Sequence, residues 1–240
     1  MNIKKINVIG NSGIIINGKV VDGGKNKGEL KKFDELNKYD ANRVSIIDVE
    51  TSSTDVTFTP TEGSNLEVSL KGEAYIDGKL DFDIMLLDYR LTIKVKINGS
   101  TYNENLKLEV KIPDKVFPQL SIKTSSADVV IEKGISVKRI DIETASGDLK
   151  SDVEFSGLDI HTMSGNIDLK TFAKSDIQVK INTMSGDVSA RFGNVKYMDF
   201  EENTMSGCVE DNHKETIEGY VAQVDIYTMS GDIYLGNLEE

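Results

Sequence analysis

The sequence is poor in the residues on which many functional sites depend. Its 240 residues include one cysteine, no tryptophan and two histidines, and aromatic residues make up only 7% of the chain. The single cysteine, Cys208, excludes an intrachain disulfide and weakly indicates a reducing compartment. The scarcity of aromatic rings removes the usual stacking platforms for sugars and single-stranded nucleic acids.

Basic charge and long apolar runs are scarce as well. The chain has 28 basic against 40 acidic residues, and a formal net charge of −12 repels nucleic acids and anionic lipid surfaces. No stretch approaches the roughly 18 apolar residues that a spanning helix needs, and residues 1–10 lack the apolar core of a signal peptide. We therefore expect no nucleic-acid partner, no direct membrane insertion and a cytoplasmic location. A place in the cell envelope stays open if another route exports the chain.

One short motif, by contrast, is abundant. T-x-S-G-D and close variants occur six times, with their threonines 18 to 24 residues apart. The Ile-x-Thr part alternates like a short strand, and Ser-Gly-Asp is typical of a turn, because glycine tolerates positive φ and Ser and Asp bond nearby backbone. The predicted turn ladder comprises Ser126, Asp128, Ser146, Gly147, Asp148, Ser164, Gly165, Asn166, Ser185, Gly186, Asp187, Ser206, Gly207, Ser230, Gly231 and Asp232.

Repeats this short predict a stacked architecture. A unit of about 20 residues cannot bury its apolar face alone, so successive units stack with their strands paired and equivalent residues aligned. The sequence therefore predicts an all-β protein in which residues 119–240 form a β-solenoid, a single-stranded β-helix-like stack. Such a stack requires no cofactor.

The first half of the chain is less regular. Asn17-Gly18 between apolar runs predicts a β-hairpin over residues 1–28. Three-residue apolar spacing from Leu30 to Tyr39 favours a linker with a short helix over residues 29–43. Alternating segments over residues 44–118 predict an antiparallel β region. That region is continuous with the stack, since Thr51 to Asp55 is a first copy of the motif, T-S-S-x-D.

These motifs resemble those of a bacterial putative-adhesin family of unknown function. The resemblance covers residues 44–235. It rests on T-S-S-x-D at residues 51–55, K-L-E-V-K-I-P at 107–113, L-S-I-K-T-S-S-A-D at 120–128 and the T-M-S-G-D copies that follow. It implies a β-solenoid-like domain and brings no catalytic residue, cofactor or substrate.

The aspartates of the motif are candidates for a metal site. Carboxylates on adjacent repeats could share a hard cation such as calcium. The repeat lacks the nonapeptide spacing of calcium-binding rolls, and Asn166 and Cys208 dilute the charge of the column. We expect instead that each aspartate bonds the backbone of its own turn, with no metal.

Evidence for a catalytic centre is weak. Adjacent repeats would hold Asp128 and Asp148 near the roughly 5–5.5 Å separation of a retaining glycosidase, but every stacked repeat produces that distance. The histidines, His161 and His213, belong to no catalytic motif, and both are predicted to be solvated. Cys208 replaces the motif aspartate in a degenerate copy. We therefore predict that the protein is not an enzyme.

Four methionines form the candidate interaction site. Met163, Met184, Met205 and Met229 each follow the inward threonine of a repeat, so strand alternation places them outside in one stripe. Exposed methionines make an adaptable apolar patch of the kind that marks partner surfaces. In the alternative, a bulge turns them into the core or another segment covers them.

The leading functional prediction is a non-enzymatic structural or interaction module that presents a rigid acidic surface. Its partner would be a protein or a cell-surface polymer, or a second copy in a homodimer. Two alternatives are a carbohydrate-active enzyme on a β-helix and a cell-envelope sensor domain. A deep cleft with convergent carboxylates and aromatic rings would favour the enzyme, whereas smooth walls with satisfied ladder residues would favour the module.

Overall fold

The protein is built from β-strands, which confirms the predicted all-β class. The computed structural model describes residues 6–8, 14–16, 19–21 and 29–238. The strands are β1 (Ile6–Val8), β2 (Ile14–Ile16), β3 (Lys19–Val21), β4 (Glu29–Asp40), β5 (Ile46–Thr51), β6 (Asp55–Thr61), β7 (Asn65–Leu87), β8 (Arg90–Pro113), β9 (Val116–Thr124), β10 (Val129–Ile131), β11 (Ser136–Thr144), β12 (Leu149–Asp152), β13 (Glu154–Ser164), β14 (Ile167–Phe172), β15 (Ile177–Ser185), β16 (Val188–Gly193), β17 (Val195–Ser206), β18 (Val209–Asp211), β19 (Tyr220–Ser230) and β20 (Ile233–Asn237).

The first three strands form a small sheet of their own. β1 pairs with β2 and β2 with β3, in both cases antiparallel. The turn residues Asn17 and Gly18, on which the hairpin prediction depended, lie outside the described residues. The glycine-rich and lysine-rich residues 22–28 lie outside them as well.

The linker with a short helix predicted over residues 29–43 is wrong. β4 pairs antiparallel with β7 along its whole length, and only Ala41–Arg43 forms a 3-10 turn. Strand alternation packs Phe33 and Tyr39 against the core and leaves Leu30 and Leu36 outside. The ladder with β7 determines the structure here, because sheet pairing and burial outweigh a local three-residue spacing.

The region predicted as an antiparallel sheet mixes two kinds of pairing. β7 and β8 are antiparallel and join at Asp88 and Tyr89, whose φ angles of 47° and 63° suit a tight hairpin turn. β5 and β6, however, pair with β8 in parallel. They do so because they already belong to the stack, where β5 also pairs with β9 and β6 with β10.

The stack consists of two walls of parallel strands, and each rung contributes one strand to each wall. In spatial order the first wall is β5, β9, β11, β13, β15, β19 and β17, and the second is β6, β10, β12, β14, β16, β20 and β18. The register aligns equivalent motif residues, so Thr124, Thr144 and Thr162 lie side by side.

The core runs between the walls and is filled by the inward residue of each strand. Ile142, Ile160, Ile181 and Ile226 are each at most 1% exposed and occupy the same position on their rungs. Burying an isoleucine side chain stabilises a fold by about 1.5–3 kcal/mol. The repeat therefore contributes a similar apolar increment at every internal rung.

The last two rungs do not follow the order of the sequence. β19 pairs with β15 on one side and with β17 on the other, and β20 lies in the same way between β16 and β18. The latest segment is thus inserted between two earlier ones. Within the described chain, β17 and β18 therefore form the end of the stack, and we call them the terminal rung.

Candidate functional site

The motif aspartates form a continuous hydrogen-bonded ladder between rungs. Each side-chain oxygen Oδ1 accepts the backbone N–H of the equivalent residue on the next rung. The donor–acceptor pairs are Asp128 to Asp55 (3.0 Å), Asp148 to Asp128 (2.8 Å), Asn166 to Asp148 (2.8 Å), Asp187 to Asn166 (3.0 Å), Asp232 to Asp187 (2.9 Å) and Cys208 to Asp232 (2.8 Å).

This ladder corrects the prediction that each aspartate bonds its own turn. Parallel strands lie about 4.8 Å apart, which brings the next rung's N–H within reach of a short carboxylate. On the rungs of β11, β13 and β15 the residue that closes its own turn is the threonine. The hydroxyl groups of Thr144 and Thr162 donate to the carbonyl oxygens of Ser146 and Ser164 at 2.8 and 3.0 Å.

Cys208 occupies the last position of the ladder. Its N–H donates to Asp232, but no later rung in the described part of the chain offers an N–H to a side chain at position 208. An aspartate there would have no ladder partner. The cysteine thus stands where the structural requirement for aspartate ends.

The glycine of the motif is required by close approach of neighbouring turns. Gly186 has φ +129°, and a Cβ atom built on it would lie 2.2 Å from the carbonyl oxygen of Gly165. Only glycine accepts this conformation and this contact without strain. The ladder residues therefore hold successive turns together, which is a structural role.

A groove of about 520 Å³ runs beside the ladder. The carboxylates of Asp128, Asp148, Asp187 and Asp232 line it, and Tyr234 contributes an aromatic ring. Each of these carboxylates already accepts a backbone N–H through one oxygen. In the described part of the chain, His, Cys, Asp and Glu side chains form no group of three or more suited to a metal ion.

The two histidines differ in their surroundings. His161 is exposed, and its Nε2 lies 3.0 Å from a carboxylate oxygen of Asp159. His213 is half-buried, so the prediction that it is solvated is wrong. Burial lowers the pKa of the His213 imidazole, although Asp211 and Glu215 act in the opposite direction.

His213 is covered because the loop after β18 folds back on the end of β20. The N–H of Lys214 donates to the side-chain oxygen of Asn237 at 2.7 Å, and the Asn237 amide donates to the Lys214 carbonyl at 3.1 Å. This loop leads from the terminal rung to the inserted strands β19 and β20. The sequence carried no local signal for this packing.

The four methionines form an exposed column, which we call the methionine column. Met163, Met184, Met229 and Met205 are 57%, 50%, 50% and 78% exposed, so the alternative in which a bulge or another segment buries them does not hold. The strand register sets them side by side in that order on four neighbouring rungs. At about 4.8 Å per rung, the column is roughly 14 Å long.

Small residues occupy the same position on the rungs before the methionine column. Ala145 and Ser125 stand between the aligned threonines and serines there, and both are exposed. A shallow groove of about 390 Å³ lies along the column and is lined by Met163, Met184 and the neighbouring His161 and Asn182. Apolar side chains with polar neighbours can contact a folded partner.

None of the helical segments in the described residues has the length and apolar character of a membrane span.

Comparison with known proteins identifies relatives by family and by fold. The profile of the family described as Toastrack DUF4097 matches residues 44–189 and, a second time, residues 153–236. No curated protein sequence matches the chain.

Solved structures that resemble this one include two bacterial proteins. A putative cell adhesion protein from Clostridium sporogenes aligns with a TM-score of 0.56 at 13% identity, covering 87% of this chain and 100% of that one. A putative adhesin from Bacteroides fragilis aligns with a TM-score of 0.46 at 12% identity, covering 88% of this chain and 97% of that one. The first likeness shows a shared fold.

Proposed function

The chain belongs to the Toastrack DUF4097 family, and from this premise we propose that it is a non-enzymatic interaction module whose methionine column binds a protein ligand. We also propose that the scaffold is a β-solenoid, and the addition of one parallel strand per rung to each of two walls supports this. Aligned turns and a hydrogen-bonded ladder make this a rigid support for a binding surface.

The methionine column is the observation that carries the proposal. Four long, unbranched thioether side chains lie next to one another on the outside of a chain whose formal net charge is −12. Methionine adapts its shape to a partner, and a contiguous exposed apolar patch is typical of protein-binding surfaces. Burial of the column in a complex would remove this apolar surface from water.

Three further observations support binding rather than catalysis. The carboxylates beside the larger groove are already engaged by backbone N–H groups. The groove is lined by several carboxylates but by one aromatic ring, that of Tyr234. The Clostridium sporogenes protein that shares the fold is described as a putative cell adhesion protein. The protein ligand would be another protein or a second copy of this chain, and a cell-surface polymer would be the alternative ligand.

The test replaces the methionine column and leaves the scaffold intact. Substituting Met163, Met184, Met205 and Met229 by serine introduces a residue that the fold already accepts at Ser125. The control replaces three exposed apolar residues elsewhere, Leu36, Met85 and Leu87, by serine.

Wild type and both variants are used as bait in extract from the native cell, and the captured proteins are compared by mass spectrometry. Sedimentation measures self-association in parallel. We expect the column variant to lose a protein, or a dimer, that the control variant keeps, with thermal unfolding unchanged. Identical capture and identical mass for the wild type and the column variant would contradict the proposal.

A further inference from the structure

The terminal rung leaves one strand edge without a ladder. In the described part of the chain, β17 pairs with β19 alone and β18 with β20 alone. The N–H of Gly231 donates to the carbonyl of Ser206 at 3.1 Å, so the backbone of Ser206 faces into the stack. Because successive residues of a strand face opposite sides, Glu201, Asn203 and Met205 turn their N–H and C=O groups outward. An unpaired edge of this length is a template for another strand.

Apolar side chains border this edge. Met205 is 78% exposed and Val209 39% exposed, and Ile217 in the following loop is fully exposed. Met198 and Phe200 point inward but stay only half-buried, because no further rung of the described chain covers them. A strand added here would continue the first wall and complete the burial of these two side chains.

The charge of the edge favours a basic partner. Asp199 and Glu201 lie on the outer face of β17, and the residues opposite them on β19 are Gln223 and Asp225. No lysine or arginine thus faces either carboxylate on the neighbouring strand. Uncompensated carboxylates attract positive charge and repel negative charge.

At the opposite end of the first wall, acidic residues do have basic residues near them. There the outer segment of β7 pairs, within the described residues, with β8 alone. Its acids Asp81 and Asp83 lie opposite Lys96 and Lys94, and Asp81 forms an ion pair with Lys79. The two opposing lysines form their own ion pairs with Glu50. Among the described residues, the two ends thus have acids in the same arrangement, but only the β7 acids lie opposite lysines on the adjacent strand.

We propose that the terminal rung is a docking site for a basic, extended peptide segment of a protein partner, which adds to β17 as a further strand. Main-chain hydrogen bonds to the free edge would hold the peptide, and its lysines or arginines would neutralise Asp199 and Glu201. A second copy of this chain fits less well. Pairing β17 with itself, or with the outer segment of β7, brings acidic residues together.

This surface is separate from the function proposed above, with Met205 as the shared residue. Its test uses the full chain and a fluorescent peptide of alternating lysine and valine, with binding followed by fluorescence anisotropy. The variant is Asp199→Lys with Glu201→Lys. The matched control is Asp81→Lys with Asp83→Lys, which makes the same change in net charge at the other end. Neither pair touches the methionine column, so this result is independent of the capture experiment.

We expect the β17 variant to bind the peptide about tenfold more weakly than wild type, and the β7 variant to stay within about twofold. A peptide of the same sequence, N-methylated on every second residue, keeps the charge but loses one hydrogen-bonding edge. We expect it to bind at least about tenfold more weakly than the parent peptide. Hydrogen exchange should show new protection in β17 when the parent peptide binds.

Four results would overturn the proposal. They are an absence of binding to wild type, equal losses in the two charge variants, equal binding of the N-methylated peptide, and a wild-type protein that is dimeric in sedimentation while the β17 variant is monomeric. The second and third results would show a diffuse electrostatic attraction, and the fourth would identify a second copy as the occupant. Thermal unfolding of both variants checks that each is folded.

Discussion

An internal rung and the terminal rung carry the same motif. They differ at the positions that, on an internal rung, contact a neighbouring rung on both sides. The inward position holds Ile181 on the internal strand β15 and exposed Glu202 on β17. The ladder position holds Asp187 on an internal rung and Cys208 at the end. The constraint on these two positions thus comes from the rung that follows them in space. A degenerate repeat marks the place where the described chain adds no further rung.

The largest expected difference concerns the core position. Ile181→Ala removes a side chain that is 0% exposed, and such changes typically destabilise a protein by about 2–5 kcal/mol. Glu202→Ala at the equivalent position of the terminal rung should change the free energy of unfolding by less than about 0.5 kcal/mol, since the residue is exposed. Chemical denaturation measures both. Equal losses would show that the terminal rung is buried in solution.

The next effect concerns the turn. Gly186→Ala should cost about 1–3 kcal/mol of stability, because alanine is strained at φ +129° and its Cβ would meet the backbone of the neighbouring turn. Gly157→Ala is the control, because the nearest atom to its Cβ would lie 3.9 Å away. It should stay within about 0.5 kcal/mol of wild type. Denaturation midpoints that move together would refute the close-approach argument.

A smaller effect is expected from the hydrogen-bonded ladder between the rungs. Asp187→Ala removes the acceptor for the N–H of Asp232 and should cost about 1 kcal/mol. Asp187→Asn should be nearly neutral, since Asn166 already accepts the equivalent bond at 3.0 Å. Cys208→Ala should also be neutral, because in the described part of the chain no backbone N–H donates a ladder hydrogen bond to the side chain at position 208. Thermal unfolding of the three variants checks this order, and a destabilised Cys208→Ala would contradict it.

The smallest effect is a pH dependence near the terminal rung. Burial lowers the pKa of His213 in the folded protein, so the unfolded chain takes up the proton first as the pH falls. This contribution to stability is complete above the ordinary histidine pKa of about 6.5 and is lost as the pH falls from there towards the lower folded value. His213→Gln should weaken the pH dependence of the melting temperature between about pH 5 and 7. An unchanged profile would show that His213 is solvated.

Local patterns in the sequence predicted much of the fold. Period-two alternation and the spacing of the motif give the strands, the stacking and the alignment of threonines, because these follow from neighbouring residues within each repeat. The helix expected from Leu30 to Tyr39 failed because the partner of that segment, β7, lies far along the chain. The parallel pairing of β5 with β8 was missed for the same reason.

The candidate sites divide in a similar way. Strand alternation was enough to predict which way Met163 and Met184 point. The open edge at Asp199 and Glu201 could not be predicted without the spatial order of the rungs, which depends on long-range pairing. A signal was nevertheless present, since Glu202 and Cys208 both depart from the motif in the same repeat.

The insertion of β19 and β20 has a consequence for biosynthesis. The ribosome completes β17 and β18 before it makes the two strands that separate them from β15 and β16. A nascent chain therefore contains the terminal rung before it contains the strands that pair with that rung. Growth of the stack cannot simply follow translation from one end to the other. The positions between β15 and β17 and between β16 and β18 are filled by strands that are synthesised after both of their neighbours.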